Sequence, residues 1–309
     1  MAFFAEDLLT SAKLRSFAPI SQTTFQDSEL RSIANEEMLL KLVSDILSVK
    51  EEFFLTTKVT AITGSIDHYP VPKMAIGNTI NQLRLRDSAN TEVELKRISA
   101  SEADQYAGVT GVPEAYYFEG DEVVLCPKPS ESTNSIVFSY FRKPNKIIDT
   151  ASCAKITAVS SSGGSTTFTV DTDLTASLSA GDKVDFLSGS SPYLLWADEV
   201  SITSITSTTV VVATSSVSDA VSTVEPQVND YICPTGYANI AQIPDELYPV
   251  LCQMVAVRML AGLGDINKWN AAKAELAEMR KESLKVIKTR AESQPKRVRG
   301  NGIVKAFTW

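Results

Sequence analysis

Residues 151–232 break the texture of this chain, and that break limits what the chain can fold into more than any other feature. The 82 residues hold 29 Ser and Thr, two Lys, no Arg and nine acidic side chains, so 2 − 9 = −7 of the chain's net −8 sits there. Short β-branched runs, "FTV", "KVDFL" and "STTVVVATS", alternate with the turns "SSSGGS" and "SAGD". Several short strands at regular spacing with turn signals predict a small barrel or sandwich. We read the segment as an inserted, acidic, all-β domain that takes the place of a loop. At 309 residues the chain also exceeds the roughly 250–300 at which one core divides.

Around the insertion the pattern predicts an α+β body: a helical bundle with an antiparallel β-sheet, followed by an extended C-terminal arm. Residues 1–150 supply helices and then strands. Leu8, Leu9, Ala12 and Leu14 give residues 5–16 an apolar side, and Pro19 ends that helix. A second helix is expected from an N-cap at Asp27 or Ser28 to about Glu51, with Leu30, Ile33, Leu40, Val43 and Leu47 near helical spacing. From Glu52 to Ile148 alternating runs such as "INQLRLRDSANTEVELKRIS", "EAYYFEGDEVVLCPKP" and "SIVFSYFRKPNKII" predict one antiparallel sheet against the helices.

Residues 233–293 return to helix. Pro244, Asp245 and Glu246 open one helix, and Leu247, Leu251, Met254, Val257 and Leu260 form its stripe. Gly262 and Gly264 interrupt it, each weakening a helix by about 1 kcal/mol. A second helix resumes near Asp265, with Trp269, Ala272, Leu276 and Met279 on a heptad-like seam that fits both packing within the chain and a subunit contact. A hairpin and one kinked helix both fit.

Catalytic patterns are missing from the sequence. His68 is the one histidine, no Ser or Cys stands in a nucleophile motif, and no glycine loop matches a phosphate cradle. The acid pairs Glu36/Glu37, Glu51/Glu52 and Asp198/Glu199 are sequence neighbours that do not face each other, so they read as solvated charge. Asp171 and Asp173 share a strand face and are weak candidates for a cation. Cys126, Cys153, Cys233 and Cys252 are widely spaced and read as free thiols in a reducing compartment. No signal peptide, membrane span, metal or cofactor is expected, and the chain is expected to be non-enzymatic. The acidic balance argues against the whole molecule gripping nucleic acid.

Residues 294–309, "QPKRVRGNGIVKAFTW", reverse the charge. From Arg290 onward five basic side chains face Glu292, a net +4 on a chain whose remainder is about −12. Lys296, Arg297, Arg299, Val304, Phe307 and Trp309 describe a basic arm with apolar anchors, a composition suited to ordering on a partner.

The order "FQDSELRSIANEEMLLKLVSDIL", "HYPVP", "PEAYYFEGDEVVLCPKP", "IVFSYFRKP", "IPDELYPVLCQMVAVRML" and "INKWNAAKAELAEMRKESLKVI" resembles the head-to-tail connector (adaptor, or neck ring) proteins of tailed bacteriophages. The resemblance covers residues 5–150 and 240–309 and leaves the insertion outside it. It implies a structural virion protein, made in the host cytoplasm, that forms a homo-oligomeric ring of typically twelve copies at the neck. Such a ring joins the portal protein to further tail or neck proteins, lets genomic DNA pass without sequence-specific binding, and docks its arm on the portal. A tail or baseplate structural protein, a glycan-degrading virion enzyme and a cellular DNA-binding regulator are the rival readings.

Overall fold

The computed structural model describes residues 4–17, 24–190, 195–218 and 225–287. Its helical part comprises α1 (Ala5–Arg15), α2 (Asp27–Glu37), α3 (Val43–Val49), α4 (Tyr248–Leu263) and α5 (Ile266–Ile287). A π-helical turn, Met38–Leu42, joins α2 to α3. The N-cap of α2 is Gln26, whose backbone N–H donates to Glu29 Oε2 at 2.9 Å. The buried series is Leu30, Ala34, Met38, Leu42 and Ile46, a steady four-residue step. The extra residue in the π turn accommodates that step, and it leaves Leu40, expected on the apolar face, 73% exposed.

α4 is the axis of this bundle, with Val250, Leu251, Met254, Val255 and Met259 all buried. With its leading turn it is long and apolar enough to cross a membrane by length and composition, but most of its surface is buried among the other helices. Gly264 adopts φ 73° and ends it, and α5 folds back as a hairpin, Gln253 Nε2 donating to the Ala272 carbonyl at 3.3 Å. Gly262 has a packing reason as well: a Cβ there would lie 2.9 Å from the Phe25 ring.

The expected single sheet does not form. One four-stranded sheet has the order β1 (Leu55–Ala61), β10 (Ser135–Phe141), β3 (Gln82–Arg86), β4 (Glu92–Glu94). A second runs β2 (His68–Pro70), β8 (Glu122–Cys126), β7 (Ala115–Glu119), β5 (Lys96–Arg97), its β5–β7 pair parallel. The two share a core of Leu83, Leu85, Tyr116, Val123, Leu125, Ile136, Phe138 and Tyr140 that is separate from the helical core. Parallel two-stranded ribbons, β6 (Thr110–Gly111) with β9 (Lys128–Pro129) and β11 (Lys146–Ile147) with β18 (Tyr237–Ala238), complete this part. Pro70, Pro72, Pro113, Pro127 and Pro129 remove backbone donors at the strand ends, which keeps the segments short and divides one meander into two layers.

The insertion closes as a six-stranded barrel: β12 (Ala154–Ser162), β13 (Ser165–Val170), β16 (Thr209–Ala213), β15 (Leu195–Ile205), β14 (Lys183–Leu187) and β17 (Tyr231–Pro234), which returns to β12. Ile156, Phe168, Val184, Phe186, Val210, Val212 and Ile232 fill it. Period-2 alternation places Thr167, Thr169 and Val211 outside, so the hydroxyl-rich composition is that of a solvated outer face.

The cysteine expectation needs correction. Cys153 and Cys233 form a disulfide with Cα atoms 4.5 Å apart. Their sequence separation of 80 conceals the contact because they stand at the two ends of the insertion, which the barrel brings together. Cys126 and Cys252 are buried and free.

Gly189 donates its N–H to Asp230 Oδ1 at 2.9 Å, and any Cβ there would overlap the Asn229 carbonyl oxygen. Gly189→Ala should therefore destabilise the barrel by more than about 2 kcal/mol. Thermal denaturation followed by circular dichroism checks this, and an unchanged melting curve would contradict it.

Candidate functional site

Of the residues expected at a subunit contact, three are used inside the chain. Ala272 is buried, while Leu276 and Met279 pack on the helical core; Arg15 reaches both Gln253 Oε1, at 3.1 Å, and the Met279 sulfur. Trp269 stands half-buried at the edge, with the Lys273 ammonium 4.8 Å from its ring centroid. The arm residues Lys296, Arg297, Arg299, Val304, Phe307 and Trp309 lie outside the described residues.

Trp269 borders an apolar surface. It lines a notch with Leu260, Ala261, Gly264, Asp265 and Ile266 where α4 turns into α5. Leu263 and Ile266 are exposed there, and Ser16, next to the 80%-exposed Phe17, touches the Met259 sulfur one turn earlier on α4. The end of the helical body formed by the last turns of α1 and α4 and the first turn of α5 therefore presents large apolar side chains to solvent. Surfaces of this kind mark contacts with other macromolecules.

The second notable place is the seam between the barrel and the body, which sequence reasoning missed. Asp185 on β14 is fully buried. Its carboxylate accepts from the backbone N–H groups of Glu199, at 3.0 Å, and Gly236, at 2.9 Å, and from Asn145 Nδ2, at 2.8 Å. Arg142 Nη2 lies 3.5 Å away, with Asp198 Oδ2 3.9 Å from Arg142 Nε. Lys58 on β1 bonds Glu199 at 2.7 Å, and Lys183 approaches the same carboxylate at 3.8 Å. Three barrel carboxylates thus meet two cations from the body, Arg142 and Lys58, with Lys183 of the barrel beside them.

A bulge builds this seam. Val184 pairs with Val200 but Phe186 pairs with Ala197, so β15 carries one residue more than β14 across that interval. The surplus swings Asp198 and Glu199 toward the body and leaves Glu199 at φ 53°, a left-handed conformation that costs a non-glycine residue on the order of 1 kcal/mol. Burial pushes the Asp198 carboxyl above the usual carboxylate range, against the opposing pull of Arg142 and Lys58. Burial also acts to raise Glu199, but the Lys58 hydrogen bond and the charges of Lys58, Lys183 and Lys73 outweigh it and hold Glu199 low. Adjacent acids read as solvated charge are therefore partly buried partners here. The same correction applies to Glu37, whose buried side chain bonds Arg258 at 2.6 Å and also pairs with Lys41.

Asp171 and Asp173 do not share a strand, because β13 ends at Val170. Asp171 accepts from the Lys155 N–H on the neighbouring strand β12 and Asp173 from the Thr175 N–H, so each satisfies backbone rather than a cation. Among the described residues no group of three or more His, Cys, Asp and Glu is placed to hold a metal ion. His68 lies on the outer face of β2 with Nδ1 2.9 Å from Asp67 and Nε2 3.5 Å from Glu119. The Asp67 hydrogen bond and the two carboxylate charges raise its pKa, overcoming slight desolvation.

No protein-family model matches this chain, and no curated protein matches it.

A raised histidine pKa means that the folded state binds the proton more tightly. His68 therefore adds stability in full below its unfolded value near 6.5, and that contribution disappears as pH rises through the folded value. His68→Gln should lower the melting temperature slightly at about pH 5.5 and leave it unchanged at about pH 8.5. Parallel melts at both pH values check the sign, and a loss confined to the alkaline sample would contradict it.

Proposed function

We propose that the chain is a structural adaptor of a tailed-phage neck, assembling as a ring between the portal and the tail. The observation that carries this reading is the exposed apolar end of the helical body: Phe17, Leu263, Ile266 and the Trp269 notch. An isolated copy exposes that surface, while a neighbouring copy covers it. The order of helices, strands and closing helical pair in the sequence, which resembles the neck-ring adaptors, adds independent support.

In this reading subunits meet through the helical bodies. Ala272, Leu276 and Met279 already pack within the chain, so the contact falls on the apolar end, with Trp269 at its rim. The basic arm, residues 294–309, reaches the portal and seats Phe307 and Trp309 in apolar pockets while Lys296, Arg297 and Arg299 meet acidic surface. The acidic outer wall of the barrel projects away from the DNA path, where further tail or neck proteins dock. A channel without a phosphate-gripping surface lets the genome slide past.

Mass photometry of the full chain, alone and mixed with the portal protein of the same genome, tests the assignment. The expected result is a portal particle heavier by a ring of copies, with no addition when the chain stops at Ser293. Failure of the full chain to join portal would overturn it.

A further inference from the structure

The disulfide occupies a mechanically significant place. Cys153 immediately precedes β12 and Cys233 lies on β17, so the bond ties the strand that enters the barrel to the strand that leaves it. On the barrel side its neighbour is the first rung of the wall, Ala154 with Ile232 and Lys155 with Tyr231. On the body side is the β11–β18 ribbon, Lys146 with Tyr237 and Ile147 with Ala238. Both sulfur-bearing residues are buried, in a small apolar cluster with Leu187, Tyr231, Ala238 and Ile240 that Phe4 and Ile148 cover. The bond thus makes residues 153–233 a covalently closed loop at the neck.

Without the bond, the neck is held by the β11–β18 ribbon, the β12–β17 rung, the small apolar cluster around the two sulfurs and the polar seam around Asp185. That seam is not fully satisfied: Arg142 Nε and Asn145 Oδ1 are buried without a hydrogen-bond partner. Incomplete polar interfaces separate more readily than apolar ones, because water satisfies the groups that are left over. A covalent tie at the neck has its largest effect in such a place. The chain carries it although its other two cysteines stay free.

We infer that Cys153 and Cys233 form a redox-operated fastener that fixes the barrel on the body. In reducing surroundings the pair stands as two thiols and the barrel opens readily at its neck. A low-molecular-weight disulfide such as oxidised glutathione closes the fastener in two exchanges. One cysteine thiolate attacks the small disulfide, forming a mixed disulfide and releasing one small thiolate. The other cysteine thiolate then attacks the protein sulfur of that mixed disulfide, forming Cys153–Cys233 and releasing the second. Two electrons pass to the small disulfide and the two cysteine protons end on the released thiols. Because both sulfurs are buried, closure proceeds through transient opening of the neck or during barrel folding. This inference is independent of the adaptor reading.

The test uses the full chain equilibrated with either reduced or oxidised glutathione, with no other additive. After alkylation under denaturing conditions, intact mass counts the free thiols, and limited proteolysis and thermal melting follow the neck. The expected outcome is four alkylated cysteines under reducing conditions and two under oxidising conditions, with Cys153–Cys233 recovered as a linked peptide pair. Oxidation should also slow cleavage at the barrel junctions several-fold and raise the melting temperature by several degrees. Cys153→Ser/Cys233→Ser should lose both responses; if that variant does not fold, the wild-type comparison decides alone. Four free thiols in oxidised glutathione, or a linked pair with unchanged proteolysis and melting, would overturn the inference.

Discussion

The buried carboxylate of Asp185 is the interaction on which the arrangement of this molecule depends. Removing an ionised carboxyl from water carries a penalty of several kcal/mol, so it is tolerated only with well-placed donors. Asp185 has the Glu199 N–H on the barrel side of the junction, and on the body side the Gly236 N–H and the side chains of Asn145 and Arg142. A slip of either part by one residue would leave Arg142 buried and unpaired, at a cost of about 3–5 kcal/mol. Apolar packing alone tolerates such a slip far better, because it is not directional. The hub therefore specifies one bearing of the barrel.

Around the hub the described residues build three main cores, with two smaller apolar clusters beside them. The helices fold on α4, the two small sheets close on each other through Ile136, Phe138 and Tyr140, and the barrel packs on Phe168 and Phe186. Burial also pushes the Tyr140 hydroxyl well above its ordinary value, since the ring lies where the sheet core meets the acids of the seam. The ends of the insertion emerge together at Cys153 and Cys233, so the barrel interrupts the body without disturbing it. Segregated cores of this kind let a body keep its contacts while an inserted module acquires its own surface.

Several local elements were legible residue by residue, although the body's sheet arrangement was not. The β-branched runs read as strands are strands in β14 and β16, the Gly264 break separates α4 from α5, and the apolar stripe of α4 is buried. The errors share one cause: each depends on a partner distant in sequence. Leu40 lies outside because a π turn shifts the helix register to suit Ala34, Met38 and Leu42 against α4. Asp198 and Glu37 look like surface acids until Arg142 and Arg258, from other segments, are brought to them. The single sheet became two because prolines shorten the strands, and nothing local says which short strands then pair. A hairpin-like alternation also cannot announce that β5–β7 and β11–β18 run parallel. The need for glycine at position 189 was equally invisible, being set by the Asn229 carbonyl and by the Asp230 carboxylate 41 residues on.

The most direct measurement of the central claim is a double-mutant cycle on Arg142 and Asp185. Chemical denaturation of the full chain would compare Arg142→Met, Asp185→Asn and the pair with the parent. If the hub couples barrel to body, the double variant loses less than the sum of the single losses, by more than about 1 kcal/mol. Losses that add to within roughly 0.5 kcal/mol would show that the two residues act independently, and the account of the seam would fail.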